Sequence, residues 1–112
     1  MAAVARDDAQ AVAWWRKAAD QGDAQAQSNL GVMYARGRGV TQDDVQALAL
    51  FRKAADQGLA HAQRSLGFMY ANGCGVPRDD AQAIRWYRKA ADQGDADAKE
   101  ALRKMEASGR VK

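Results

Sequence analysis

The chain has 112 residues, of which 47% are hydrophobic by count, with 17 Lys and Arg against 14 Asp and Glu and a formal net charge of +3. That length holds one domain, and no stretch is long and apolar enough for a membrane span or a signal peptide, so the chain reads as soluble and cytoplasmic, or as periplasmic or secreted if it is part of a longer protein. Arg and Lys alternate with Asp rather than clustering, which argues against a nucleic-acid binder, and the single Cys74 excludes an intrachain disulfide.

The heptapeptide RKAADQG stands at Arg16–Gly22, Arg52–Gly58 and Arg88–Gly94, each copy 36 residues after the last. A fixed period of this size marks a stacked repeat architecture. At that offset Asp7–Gln42 and Asp43–Arg78 agree at 23 of 36 positions. Asp7-Asp8 caps a first helix that ends at Gly22, and Asp43-Asp44 and Asp79-Asp80 do the same for helices ending at Gly58 and Gly94. Their wheel gathers Val12, Trp14, Trp15, Ala18 and Ala19 on one arc, with Leu50, Phe51, Trp86 and Tyr87 at the corresponding core positions. The Arg16-Lys17, Arg52-Lys53 and Arg88-Lys89 pairs fall opposite, as a solvated outer face.

A second helix type follows each short link, over Ala24–Arg36, Ala60–Asn72 and Ala96–Ser108. Leu30, Met33 and Tyr34, then Leu66, Met69 and Tyr70, line its apolar face. Gly31 and Gly67 sit inside these helices, where glycine costs about 1 kcal/mol relative to alanine. Close approach of a bulky aromatic from a neighbouring helix is the expected compensation. After Leu102 the pattern gives way to Arg103, Lys104, Glu106 and Ser108, a polar face suited to a terminal cap.

The pattern L-G-x-M-Y-A-x-G-x-G-V, read at Leu30, Gly31, Met33, Tyr34, Gly37, Gly39 and Val40 and again at Leu66, Gly67, Met69, Tyr70, Gly73, Gly75 and Val76, continues into Ala47, Phe51, Ala54, Ala55 and Gly58 and into Ala83, Tyr87, Ala90, Ala91 and Gly94. It resembles the Sel-one-like repeat, a relative of the tetratricopeptide repeat, from about Asp7 to Leu102. The resemblance implies an all-α, right-handed α-α superhelix of about three helix pairs, six antiparallel helices in one domain. The units are a half repeat over 7–22, complete repeats over 24–58 and 60–94, and a capping helix over 96–108. It also implies an adaptor for proteins or peptides, with the inner helices lining a concave groove.

Five positions of the second helix type differ between copies: Gln25, Ser28, Asn29, Val32 and Arg36; His61, Arg64, Ser65, Phe68 and Asn72; Asp97, Glu100, Ala101, Lys104 and Ser108. They lie on one helix face, opposite Leu30, and all but Ala101 and Ser108 are taken as groove residues. Phe68 answers to Val32 and Lys104, so the scaffold does not demand an aromatic there. It is either an interface anchor or a filler against a neighbouring side chain. Arg36 and Arg64 are placed either to meet a partner's carboxylate or simply to solvate the surface, while His61 reads as an ordinary polar surface residue.

Catalysis and metal binding find little support. The one His and the one Cys have no orienting partner, no cofactor motif is present, and no ligand cluster exists. Some cysteine-rich members of the resembled family are linked to β-lactam hydrolysis, but the paired cysteines are missing here. The expected function is thus a non-enzymatic protein- or peptide-binding scaffold. The alternatives are a self-associating module that uses the N-terminal helix bearing Trp14 and Trp15, and, remotely, a small hydrolase.

Overall fold

The computed structural model describes residues 2–110. It contains six α-helices among them: α1 (Ala2–Asp20), α2 (Ala24–Arg36), α3 (Asp44–Asp56), α4 (Ala60–Asn72), α5 (Asp80–Asp92) and α6 (Ala96–Ala107). Each helix packs against the next in sequence, giving an elongated array of 47 × 25 × 22 Å.

The caps show why the elements begin where they do. Asp43 and Asp79 adopt extended backbone and accept from the amides of Gln46 and Gln82, satisfying first-turn donors of α3 and α5. Asp7, expected to play that role for α1, instead lies inside a helix that begins upstream at Ala2. Asp23 and Asp95 cap α2 and α6 through the amides of Ala26 and Ala98, each at 2.8 Å, whereas Leu59 gives α4 no side-chain cap.

Packing relies on small residues along the seams. Ala47, Ala54, Ala62, Ala83, Ala90 and Ala98 are fully buried and let the helix backbones approach closely, with Phe51, Leu66, Met69, Trp86 and Tyr87 filling the layers between them. The two intrahelical glycines meet the expected aromatics. A Cβ at Gly31 would stand 3.0 Å from the Phe51 ring, and one at Gly67 would stand 2.9 Å from Tyr87. In the loop after α4, Gly75 (φ +70°) passes so close to the Asp44 carbonyl that a Cβ would sit 2.6 Å from it.

Two expectations about the outer helices are corrected. Trp14 is not a core residue; it is 74% exposed, while Trp86 at the equivalent position is 4% exposed. The pocket for Trp86 is built partly by the preceding outer helix, and Arg52 of α3 lies over its ring at 5.6 Å. No such helix precedes α1 among the described residues. The basic pairs are likewise not a simple solvated stripe. Arg52 also donates to the Tyr70 hydroxyl, and Arg16 donates to Tyr34 at 2.7 Å, so these guanidiniums tie outer helices to inner ones.

Candidate partner-binding groove

The exposed faces of α2, α4 and α6 form a shared surface holding two open hollows one repeat apart. The first, of about 600 Å³, lies between α2 and α4 and includes Val32, Arg36, Arg64, Ser65, Phe68 and Asp97. The second, of about 520 Å³, includes Phe68, Asn72, Asp97, Glu100 and Lys104. Phe68 and Asp97 belong to both. The floor of each comes from an aromatic of an outer helix, Phe51 and Tyr87 in the first and Tyr87 in the second. Phe68 is 54% exposed, one of three large hydrophobic side chains so placed among the described residues.

The remaining variable residues are placed differently. Gln25 and Asn29 line a separate hollow against α1 with Trp14 and Trp15, and the Gln25 amide donates to Asn29 at 3.0 Å. Ser28 is fully buried and is not a surface position. Its hydroxyl lies 3.1 Å from Nδ1 of His61, whose ring covers it, and Nε2 of that ring lies 3.3 Å from Oε1 of Gln25. His61 is therefore a half-buried bridge between α2 and α4 rather than an ordinary surface residue. Burial, and next the Arg64 charge, hold its pKa below the usual 6.5, against a smaller opposing pull from Asp95.

Arg64 is not a free cation. Its Nε lies 3.1 Å from the Asp95 carboxylate, and Nη1 lies 4.0 Å from Asp97. The cap of α6 is thereby tied to the face of α4. Arg36 makes no ion pair among the described residues. Glu100 pairs with Arg103 one turn along α6, and the hydrogen bond from Arg103 lowers its pKa.

A half-buried amide ladder at the repeat junctions was not foreseen from the sequence. Gln27 and Gln63 donate to the carbonyls of Ala19 and Ala55 and accept from Gln57 and Gln93, the C-cap residues of the following outer helices. The signal was present in the Gln of RKAADQG, followed six residues later by an Ala-Gln pair in the first two copies, Ala26-Gln27 and Ala62-Gln63, and by Ala98-Lys99 in the third.

The Sel1 repeat model matches residues 2–23, 24–59 and 60–95, which is most of the chain. The chain belongs to the Sel1 repeat family. Its Sel1 repeats superpose on those of c5321, a protective antigen present in uropathogenic Escherichia coli strains and displaying the SLR fold, with 48% identity and a TM-score of 0.88 over 90% of this chain. A Sel1 repeat protein from Oxalobacter formigenes matches at 43% identity and a TM-score of 0.77 over 81% of this chain. Helicobacter pylori cysteine rich protein B matches at 26% and 0.76 over 80%. The chain spans only 22%, 37% and 68% of those three proteins. No curated protein matches it. Sel1 repeats are generally scaffolds for protein interaction, and their fold is typically non-catalytic. Among the described residues no cluster of His, Cys, Asp and Glu could hold a metal ion, and no helix is long and apolar enough to cross a membrane.

Proposed function

We propose that this chain binds an extended peptide segment of a partner protein along the shared face of α2, α4 and α6, with Phe68 as the anchor. The supporting observation is the position of Phe68. It stands half in solvent at the boundary of two adjoining hollows, over floors formed by Phe51 and Tyr87. An exposed aromatic flanked by open, partly apolar space is the arrangement of an interface anchor. The charged residues around it, Arg36, Asp97 and Lys104, form a polar rim. The test is selection of peptides against the folded chain, followed by calorimetric titration of the Phe68→Ala variant. A loss of about 30-fold, corresponding to about 2 kcal/mol, is expected on truncation. Unchanged affinity in a variant of unchanged stability would overturn the reading.

A second reading, self-association through α1, is favoured by the exposure of Trp14 beside the hollow it shares with Gln25 and Asn29. Light scattering over a concentration series decides it, since a strict monomer at high concentration removes it.

A further inference from the structure

We propose that the hollow between α2 and α4 contains a seat for a guanidinium, and that its occupant is an arginine side chain of the bound peptide. The inference rests on the groove reading above and names the chemistry of its partner. The template lies in the chain's own repeats. Positions 38, 74 and 110 are equivalent, and they hold Arg38, Cys74 and Arg110. Arg110 folds back over the start of α5, with Nε 3.1 Å from Oδ1 of Asp80 and Nη2 donating to the Ala71 carbonyl at 2.6 Å. Arg38 reaches Asp8 in the same way, with Nη2 3.0 Å from Oδ1. One acidic residue of an outer helix is thus covered by an arginine thirty residues later in both flanking repeats.

The middle repeat breaks this rule. Its acceptors are Asp44 and the carbonyl of Ala35, but the residue that would cover them is Cys74, which is too short to reach across and carries no donor fork. Among the described residues only the neutral amide of Gln42 approaches, at 2.7 Å from Asp44 and 3.5 Å from the Ala35 carbonyl. Asp44 makes no ion pair among the described residues. The two hollows record the consequence. In the second, Arg110 is part of the wall and Asp80 lies beneath it, outside the lining. In the first, Asp44 and Cys74 both line the opening. A guanidinium entering from solvent finds the carboxylate and the carbonyl that Arg110 uses one repeat later. Its planar fork suits such a pair better than a lysine ammonium does. Of the other charges lining the hollow, Arg64 is neutralised by Asp95 and Asp97, and Arg36 alone opposes the occupant.

The experiment titrates Nα-acetyl-arginine methylamide into the labelled chain and follows the backbone amides of Ala35, Asp44 and Cys74 by ¹H–¹⁵N spectra, with the citrulline analogue as the uncharged control. Saturable shifts with arginine are expected, at least about tenfold weaker with citrulline and in Asp44→Asn. They should be absent in Cys74→Arg, which fills the seat from within and also raises Tm, and stronger in Arg36→Asn, which copies the residue at position 72. Equal shifts with citrulline, no saturable shifts, or undiminished binding in Asp44→Asn overturn the seat. Should Cys74→Arg fold poorly, Asp44→Asn decides alone. Selected peptides that need Phe68 but carry no arginine would leave the groove standing and remove the seat.

Discussion

Gln93 donates its side-chain amide to Oε1 of Gln63 at 2.9 Å, and one repeat earlier Gln57 does the same to Gln27 at 2.8 Å. Each buried glutamine also closes a carbonyl of the preceding outer helix, so one side chain secures both sides of a repeat junction. Gln63→Leu leaves the Ala55 carbonyl and the Gln93 amide without that partner. A loss of about 1–3 kcal/mol is expected by urea unfolding. The double variant with Gln93→Leu should show a coupling above about 0.5 kcal/mol. Gln21→Ala, at the equivalent exposed position, where the side chain has no hydrogen-bond partner among the described residues, should change stability by less than about 0.5 kcal/mol.

The two tryptophans at equivalent positions should behave as opposites. Trp86 is buried beneath Arg52 and Lys89, whose charges stand 5.6 and 5.0 Å from its ring, and Trp14 is mostly in water. Trp86→Ala should cost about 3–5 kcal/mol, and Trp14→Ala less than about 0.5 kcal/mol in the monomer. Denaturant unfolding of both variants at low concentration measures the contrast. Equal costs would mean that α1 is packed more deeply than its exposure implies.

The limits of the sequence reading follow the same distinction between local and neighbour-dependent effects. Caps at Asp43 and Asp79, the glycine stops and the aromatic over each intrahelical glycine were legible, because they depend on adjacent residues or on the 36-residue register. Trp14 was misplaced because a helical wheel reports the face and not whether another helix covers it. Ser28 shared its arc with Asn29 and Val32, yet it is fully buried, with His61 of the next repeat 3.1 Å from its hydroxyl. Arg52 looked solvent-facing because its wheel angle describes Cα, whereas its long stem carries the guanidinium back to Tyr70 and Trp86. The departure at Cys74 was visible as a column of the alignment. That this column faces the Asp8, Asp44, Asp80 column required the turn of the loop in three dimensions.

Acid should weaken the α2–α4 junction through His61. Burial lowers its folded pKa below the 6.5 of the exposed group. Between those two values the unfolded chain binds more protons, so stability is full above about pH 6.5 and falls as pH drops toward the folded pKa. Protonation also ends any acceptor role of Nδ1 toward the buried Ser28 hydroxyl. Urea midpoints at pH 7.5 and pH 5 should differ more for the native chain than for His61→Gln, which places here the residue found at position 25. An identical pH dependence in both would remove His61 as the titrating group.

Replacing a glycine inside a helix by alanine ordinarily gains about 1 kcal/mol. At Gly67 the sign should reverse. The new methyl would stand 2.9 Å from Cδ1 and 3.0 Å from Cε1 of Tyr87, a ring that is 5% exposed and closed in by the fully buried Leu66 layer. Overpacking of this kind costs about 1–3 kcal/mol, enough to outweigh the helix propensity. Tyr87 also floors both hollows around Phe68, so the same displacement reshapes the groove. Gly67→Ala should therefore lower both the unfolding midpoint and the affinity for selected peptides, whereas Gly58→Ala, strained by its φ of +90° but facing open space, should lower stability alone. Parallel unfolding and titration of the two variants measures this, and a Gly67→Ala chain with native affinity would show that the Tyr87 ring does not shape the binding face.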